Sequence, residues 1–469
     1  MNKKLLKTIL GDIRFWIFFF FILRLVGITN APLEVGHNWR QSLTDMIARN
    51  FLEYSSNIFY PSIDMAGEKT GIIGTEFPFF NYLIYLISDI FGYTHWYGRL
   101  INLIVSSFGL YYFYKLISNI VDKRVAFNST VVLIASIWFA FSRKIMPDTF
   151  SVSLLIIGLF YAYEYLKNGY KSSLLLFFLF STLGMLCKIP ALSLFSILIL
   201  VPFISSIPER RRVILSILSI ISFSIVSIWY FYWVPYLVET YQYPLYFPKS
   251  LSEGIHEIIP LLPELFEKFY FSALHSYIAL ICFILGLYFF LRSKLKLQKL
   301  ALLTITSVFI LFIIKTGAVF PLHNYYIIPF SPIMALLVGF FLAQIPPKYQ
   351  YILLTLIMIE GIANQQHDFF IKDDQTYKLS LESINNHIIA REELIIINGG
   401  QSPQSIYFAH RKGWSIDSKV LGNKNYLDSL QALGASYLII DKNYFTDPID
   451  HYQRLYDDRN YSIYKMNER

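Results

Sequence analysis

The sequence predicts an all-α polytopic membrane domain followed by a small α/β domain, and three observations carry that prediction. Of 469 residues, 55% are hydrophobic, 18% aromatic and only 15% charged, a balance foreign to a soluble domain of this length. The apolar residues come in long blocks, among them Phe15 to Val26, Leu174 to Leu186, Val213 to Val234 and Ile327 to Leu342. Toward the end of the chain that pattern stops, and short apolar runs alternate with a helix-like stretch.

Blocks of ~17 to 25 residues match the ~30 Å hydrocarbon core of a bilayer, and shorter ones need flanking aromatics to complete the span. The first block has no small-residue cleavage site and runs straight into polar sequence, so it reads as a retained helix and not a signal peptide. Alternate loops are basic: Lys3, Lys4 and Lys7, then Lys123 and Arg124, Lys167 and Lys171, Arg210 to Arg212, Arg292 to Lys299, and Lys348. These are the expected cytoplasmic loops. Between them lie the regions that should face outward: Glu34 to Pro78, Arg143 to Asp148, Lys188, Pro235 to Lys268, and Lys315 to Tyr326. The alternation predicts about eleven spans, the last near Tyr351 to Ile362, and an outward C-terminus. Cytoplasmic anchoring accounts for the net charge of +8, so no nucleic-acid partner is expected.

The predicted boundary falls near residue 365, with residues 1–365 forming the membrane domain and 366–469 a small extracytoplasmic domain. Glu393-Leu-Ile-Ile-Ile-Asn398 and Ser436-Tyr-Leu-Ile-Ile-Asp441 read as strands, and Asn425 to Leu433 reads as a helix ending at Gly434. Strands alternating with helices suggest a parallel arrangement. The Gly399-Gly400 pair after the first strand has the composition of a phosphate cradle, although a lone glycine pair is more often a plain turn.

Several chemistries lack support. Cys187 and Cys282 both lie in or beside apolar blocks, which argues against a stabilising disulfide, and the nine histidines show no metal-binding spacing. There is no P-loop or dinucleotide fingerprint. No metal site and no cofactor are therefore predicted, with assistance by a divalent ion left open.

The first outer loop, about residues 29 to 80, is the richest in polar chemistry. Glu34, His37 and Arg40 sit just beyond the first span. The run Thr44-Asp-Met-Ile-Ala-Arg-Asn-Phe-Leu52 has helical apolar spacing at Met46, Ile47 and Phe51, with Ser42 or Thr44 as the expected N-cap. It predicts an amphipathic helix on the membrane surface. Gly74-Thr-Glu76-Phe-Pro78 then introduces a second amphipathic or membrane-entering helix. Asp45, Asp64 and Glu76 join Glu34 on the same predicted side of the bilayer.

Taken in order, "HNWRQSLTDMIARNF", "GTEFPFFNYLIYLISDIFG", "GRLINLI", "RKIMPDTFSVSLL", the Lys188-Ile-Pro190 step and "HNYYIIPFSPIMAL" resemble a family. It is the bacterial relatives of protein O-mannosyltransferases and lipid A aminoarabinose transferases, polytopic glycosyltransferases of the GT-C fold. The resemblance covers nearly all of the membrane region, while the C-terminal domain shows no matching motif. It implies a multi-pass protein of the bacterial cytoplasmic membrane that transfers a sugar, with inversion, from a polyprenyl-phosphate carrier. The acceptor would be a lipid, glycan or protein on the outer face.

For that reaction a carboxylate must take the proton of the acceptor hydroxyl, and cations must stabilise the departing phosphate. The resemblance puts Glu34 first as base, because family members carry an acid just beyond the first span. Many related transferases have an adjacent Asp-Glu pair, and relatives with the Trp-Arg-Gln version often have aspartate where Leu43 stands. Asp45, Asp64 and Glu76 therefore remain competing candidates. For the phosphate, Arg40, Arg99, Lys144, Lys188 and His323 all fall at predicted outer ends of spans.

Each has a plainer reading. A terminal lysine can snorkel to the headgroups, and Arg99 can pair with Asp148 or Glu76 to hold helices together. Asp148, after Pro147 at a helix start, can simply cap backbone amides. His37 and His323 suit acceptor or phosphate positioning or a structural hydrogen bond, and Tyr325 and Tyr326 suit sugar stacking or an interfacial belt. Two rival functions share the composition. A lipid-linked sugar flippase should show internal repeats and charges at span centres, which this chain lacks. A polysaccharide polymerase or ligase would transfer a whole glycan.

Overall fold

Helices dominate up to about residue 363, and a five-stranded sheet follows. The computed structural model describes residues 8–243 and 248–466, so Lys3, Lys4, Lys7 and part of the region Pro235 to Lys268, expected to face outward, lie outside the described residues. The chain divides into two compact units. One is drawn from Met1–Ile28, Gly98–Tyr232 and Tyr246–Phe369, the other from Thr29–Tyr97, Trp233–Leu245 and Phe370–Arg469.

The described residues contain four helices long and apolar enough to cross a membrane: Tyr97–Ile120, Pro147–Asn168, Glu209–Tyr241 and Lys296–Thr316. A fifth arises if Leu251–Ser272 and Tyr277–Arg292, bent by 92°, form one broken span. This is fewer than the expected number because several apolar blocks are short or interrupted. Lys171–Cys187 has 17 residues, and the following block passes from one 3₁₀ turn through a single α-turn into another, with Pro190 and Pro202 inside it. Phe79–Phe91 and Ser331–Gln344 are likewise apolar but short.

Helices of the first unit approach closely where small residues meet. Gly158 on Pro147–Asn168 leaves no room for a Cβ beside Ser181 on Lys171–Cys187, and Gly339 on Ser331–Gln344 is in the same position against Ser129 on Lys123–Ala135. Close packing of this kind replaces the missing hydrophobic drive between helices in lipid. Basic residues tie helix ends. Arg211 donates to the carbonyls of Leu166 and Lys167 at 3.1 and 2.7 Å, and Arg124 donates to Gln350 Oε1 at 2.6 Å.

In the second unit, strands β1 (Leu394–Ile397), β2 (Gly413–Ser415), β3 (Ala435–Asp441), β4 (Gln453–Asp457) and β5 (Tyr461–Lys465) lie in the order β2-β1-β3-β5-β4. β1 pairs in parallel with both β2 and β3, and β5 is antiparallel to β3 and β4. The two strands and the helix expected from sequence are present, the helix as Lys424–Ala432. The β4–β5 hairpin adds an antiparallel edge.

The segment after the helix Ile13–Arg24 belongs to the same core. Leu43, Met46, Ile47 and Phe51 of the helix Asn38–Glu53 pack with Ile395, Ile397, Ile406 and Ile439 of the sheet region. Gly413 N–H donates to Asp64 O at 3.0 Å, and Gly67 N–H donates to Gly413 O at 2.9 Å. This corrects the expectation of a surface helix: residues 41–51 are buried on every face. The cap differs as well. The helix starts at Asn38 with left-handed His37 before it, and Thr44 is interior, its hydroxyl donating back to Arg40 O at 2.9 Å.

Candidate functional site

Asp148, Lys188, His323, Tyr325 and Tyr326 come from three separated motifs, and the fold of the first unit gathers them. Pro147 opens the helix Pro147–Asn168, which sets Asp148 in its first turn. Lys188 occupies the extended break between Lys171–Cys187 and a 3₁₀ turn, and His323 occupies the matching break between Val319–Leu322 and Asn324–Ile327. Helix ends thus supply each polar group, where the backbone is free to change direction.

Lys188 Nζ lies 3.7 Å from Asp148 Oδ1 and 5.7 Å from the ring centroids of both Tyr325 and Tyr326. The His323 ring packs on both tyrosines at 5.4 and 6.1 Å, and its Nδ1 meets Val319 O at 2.9 Å. Asp148 therefore forms an ion pair. The N-cap is Met146, which makes no side-chain cap bond, so the capping role expected for Asp148 is replaced.

A second group of cations surrounds the turn at residues 141–149. Arg24, Arg99, Arg143 and Lys144 are all fully or almost fully buried. Arg24 Nη1 donates to Ser142 Oγ at 2.5 Å, Arg143 Nε to Arg24 O at 3.1 Å, and Arg99 Nη1 to Arg143 O at 3.5 Å. Lys144 Nζ pairs with Asp368 Oδ1 at 3.2 Å. Asn102 fixes the turn. Its amide is shared among the carbonyls of Phe141, Lys144 and Met146 at 2.9, 2.9 and 3.2 Å, and its carbonyl accepts from Thr149 at 3.0 Å.

The four acids and the two remaining basic residues lie in the second unit. Glu34 is fully buried, bridges in antiparallel fashion to Ile371, and accepts from Asn30 Nδ2 at 3.4 Å. Asp45 is fully buried within Asn38–Glu53. Asp64 is held on both oxygens, by Arg49 Nη2 and Asn50 Nδ2, each at 3.0 Å. Glu76 forms an ion pair with Arg40 and accepts from Thr75 Oγ1 at 2.7 Å. Of the two acids suggested as partners of Arg99, Asp148 pairs with Lys188 and Glu76 with Arg40. His37 adopts φ 60° at the helix start, and Trp39 Nε1 donates to Gln401 O at 3.2 Å.

Sequence reasoning passed over Arg24, Arg143, Asn102 and Asp368. Arg24 carried a legible signal, because an arginine at the end of an apolar span is costly unless it is paired or functional. Asn102 and Asp368 carried none, since their roles depend on carbonyls and a lysine more than 30 residues away in sequence.

Comparison with known proteins agrees with this architecture. Residues 75–233 match the family model of dolichyl-phosphate-mannose-protein mannosyltransferase. No curated protein is similar enough in sequence to match. Among solved structures, ArnT from Cupriavidus metallidurans bound to undecaprenyl phosphate superposes with TM-score 0.59 at 11% identity, covering 96% of this chain and 98% of that one. The oligosaccharyltransferase AglB from Archaeoglobus fulgidus, in complex with an inhibitory peptide and a dolichol-phosphate, gives TM-score 0.56 at 12% identity, covering 91% and 69%. By sequence over residues 75–233 and by fold over most of its length, this multi-pass membrane protein resembles the GT-C glycosyltransferases of the protein O-mannosyltransferase and ArnT group.

Proposed function

We propose that the protein is an inverting glycosyltransferase that moves a sugar from a polyprenyl-phosphate carrier to a lipid, glycan or protein acceptor. In this reading the chain spans the cytoplasmic membrane about eleven times and works on the extracytoplasmic face. The gathering of Asp148, Lys188, His323 and the two tyrosines from separate motifs is the observation that carries it. A cation held over aromatic rings beside a histidine suits a phosphate next to a sugar. The buried cations around the 141–149 turn add positive potential in the same unit.

The acceptor hydroxyl attacks the anomeric carbon as the bond from that carbon to the carrier phosphate breaks on the opposite face. The proton passes to a carboxylate, and the charge left on the lipid phosphate is met by cations. Glu34 is the proposed base. Asp45, Asp64 and Glu76 are the alternatives, Asp64 with both oxygens hydrogen-bonded and Glu76 paired with Arg40. Lys188 is proposed to hold the phosphate.

Purified protein supplied with polyprenyl-phosphate sugars tests this directly. Glu34→Gln should lower kcat by about 100-fold or more with carrier binding retained, whereas Lys188→Met should weaken carrier binding itself. Undiminished turnover in Glu34→Gln would move the base to Asp45, Asp64 or Glu76. Absence of any transfer by the wild type across donors would reject the reaction class.

A further inference from the structure

The carboxyl end of the sheet in the second unit holds a cavity of about 460 Å³ with the buried Lys378 in its wall. β1 lies between β2 and β3, so the chain leaves β1 toward one side and must cross it to reach β3 on the other. The connections leaving β1 and β3 therefore run to opposite sides, as they do at a topological switch point where α/β sheets bind ligands. Asn398, at the end of β1, ties that end to the end of β3 by donating to Asp441 O at 3.0 Å and accepting from Asp441 N at 2.6 Å.

The glycine pair that follows is not a phosphate cradle. Gly399 N–H donates to Ile397 O and Gly400 N–H to Ile416 O, so both amides are spent within the fold. Recognition falls to side chains. Lys378 is only 5% exposed, and its Nζ donates to Gln375 Oε1 and Gln404 Oε1, each at 2.7 Å. Both acceptors are neutral, and among the described residues no carboxylate lies within ion-pair distance of it. Burial lowers its proton affinity below the ordinary lysine range, against the weaker pull of Asp441 and Asp374, and an anion brought into contact would favour the charged form.

The rest of the wall limits what that counter-ion can be. Asp417 shares the cavity and would repel a multiply charged anion, while its carboxylate suits a hydroxyl donor. Ser402, Ser405, Ser418 and Asn38 supply neutral donors and acceptors, and Tyr444, 53% exposed, offers a ring at the edge with Lys378 Nζ 5.8 Å from its centroid. The volume suits a small sugar.

We propose that this cavity binds a saccharide carrying a single carboxylate, with Lys378 on the carboxylate and Asp417, the serines and Tyr444 on the sugar. The site is independent of the transferase reading, because binding is measured without turnover. Calorimetric titration of the full-length protein in detergent with glucuronate, glucose and inorganic phosphate is the test.

The expected result is saturable binding of glucuronate, with glucose weaker by about tenfold or more. Lys378→Met should lose about tenfold or more in glucuronate affinity. Tyr444→Ala, at an exposed position that need not disturb folding, should lose about threefold or more. Equal binding of glucose, binding of phosphate alone, or no binding of glucuronate would each overturn the proposal. So would wild-type affinity in a folded Lys378→Met. If Lys378→Met does not fold, Tyr444→Ala decides, and unchanged affinity there would overturn it.

Discussion

Asp64 meets two donors in a space closed to water, Arg49 on one oxygen and Asn50 on the other, and Arg49 extends to Tyr407 O at 3.0 Å. Removing one member of a buried pair strands the other. Arg49→Met should therefore destabilise the second unit by about 3–5 kcal/mol, read as a fall in melting temperature. A smaller loss for the double variant Arg49→Met, Asp64→Asn would identify the stranded carboxylate as the cause.

His410 behaves differently because it titrates. Its Nδ1 meets Glu382 at 2.6 Å and its Nε2 meets Glu53 at 3.0 Å, while Arg391 also pairs with Glu53 and Arg49 lies near. Burial disfavours its charge, but the two carboxylates outweigh burial and raise its pKa above 6.5. Stability from His410 is then complete below that ordinary value and lost as pH rises through the raised one. Burial also opposes ionisation of Glu53, yet His410 and Arg391 lower its pKa below 4.5, and the bond to His410 lowers that of Glu382. Their contribution is present above 4.5 and lost as pH falls through the lowered values. The melting-temperature difference between wild type and His410→Gln should therefore be largest near about pH 5.5 and shrink toward about pH 9. An unchanged difference at the two pH values would show that the histidine acts only through packing.

Among elements, the 141–149 turn depends on a partner distant in sequence. Asn102→Ala removes the donors to three carbonyls and leaves buried acceptors, an effect of about 1–3 kcal/mol per unsatisfied group. Expected outcomes are a lower melting temperature in detergent and weaker carrier binding, because the turn also holds Arg143 and Lys144. Gly158→Leu should separate Pro147–Asn168 from Lys171–Cys187 and lower thermal stability by at least about 2 kcal/mol, measured by the same melts. Legibility varied among these elements. β1 and β3 stood out as continuous apolar runs, whereas β2 has three residues, too few to show a period. The β4–β5 hairpin turns on Asp458, whose Oδ1 accepts from the amides of Asn460 and Tyr461, a side-chain turn signal that was present but outweighed by the charge around it.

For the whole molecule, residues 29–97 and the C-terminal residues form one folded unit around a shared core. Truncation after residue 369 would strip Leu43, Met46, Ile47 and Phe51 of their sheet partners. Limited proteolysis should then cut within residues 29–97, where the full-length protein resists; equal resistance would show that the segment folds alone. A hydropathy reading could not reveal this union, because the two stretches are separated by all of the long apolar blocks after the first, and the apolar spacing of Met46, Ile47 and Phe51 does not say what that face packs against.

The sequence by itself determined the membrane character and, after residue 366, β1, β3 and the helix Lys424–Ala432. Those follow from local composition, periodicity and side-chain chemistry. Only the tertiary structure decided that Lys188 meets Asp148 and the tyrosines, that Asp64 and Glu76 are committed to arginines, and that residues 41–51 are buried all round. Pairing and burial are set by which distant segments share a neighbourhood, and a single chain's local pattern holds no term for that distance.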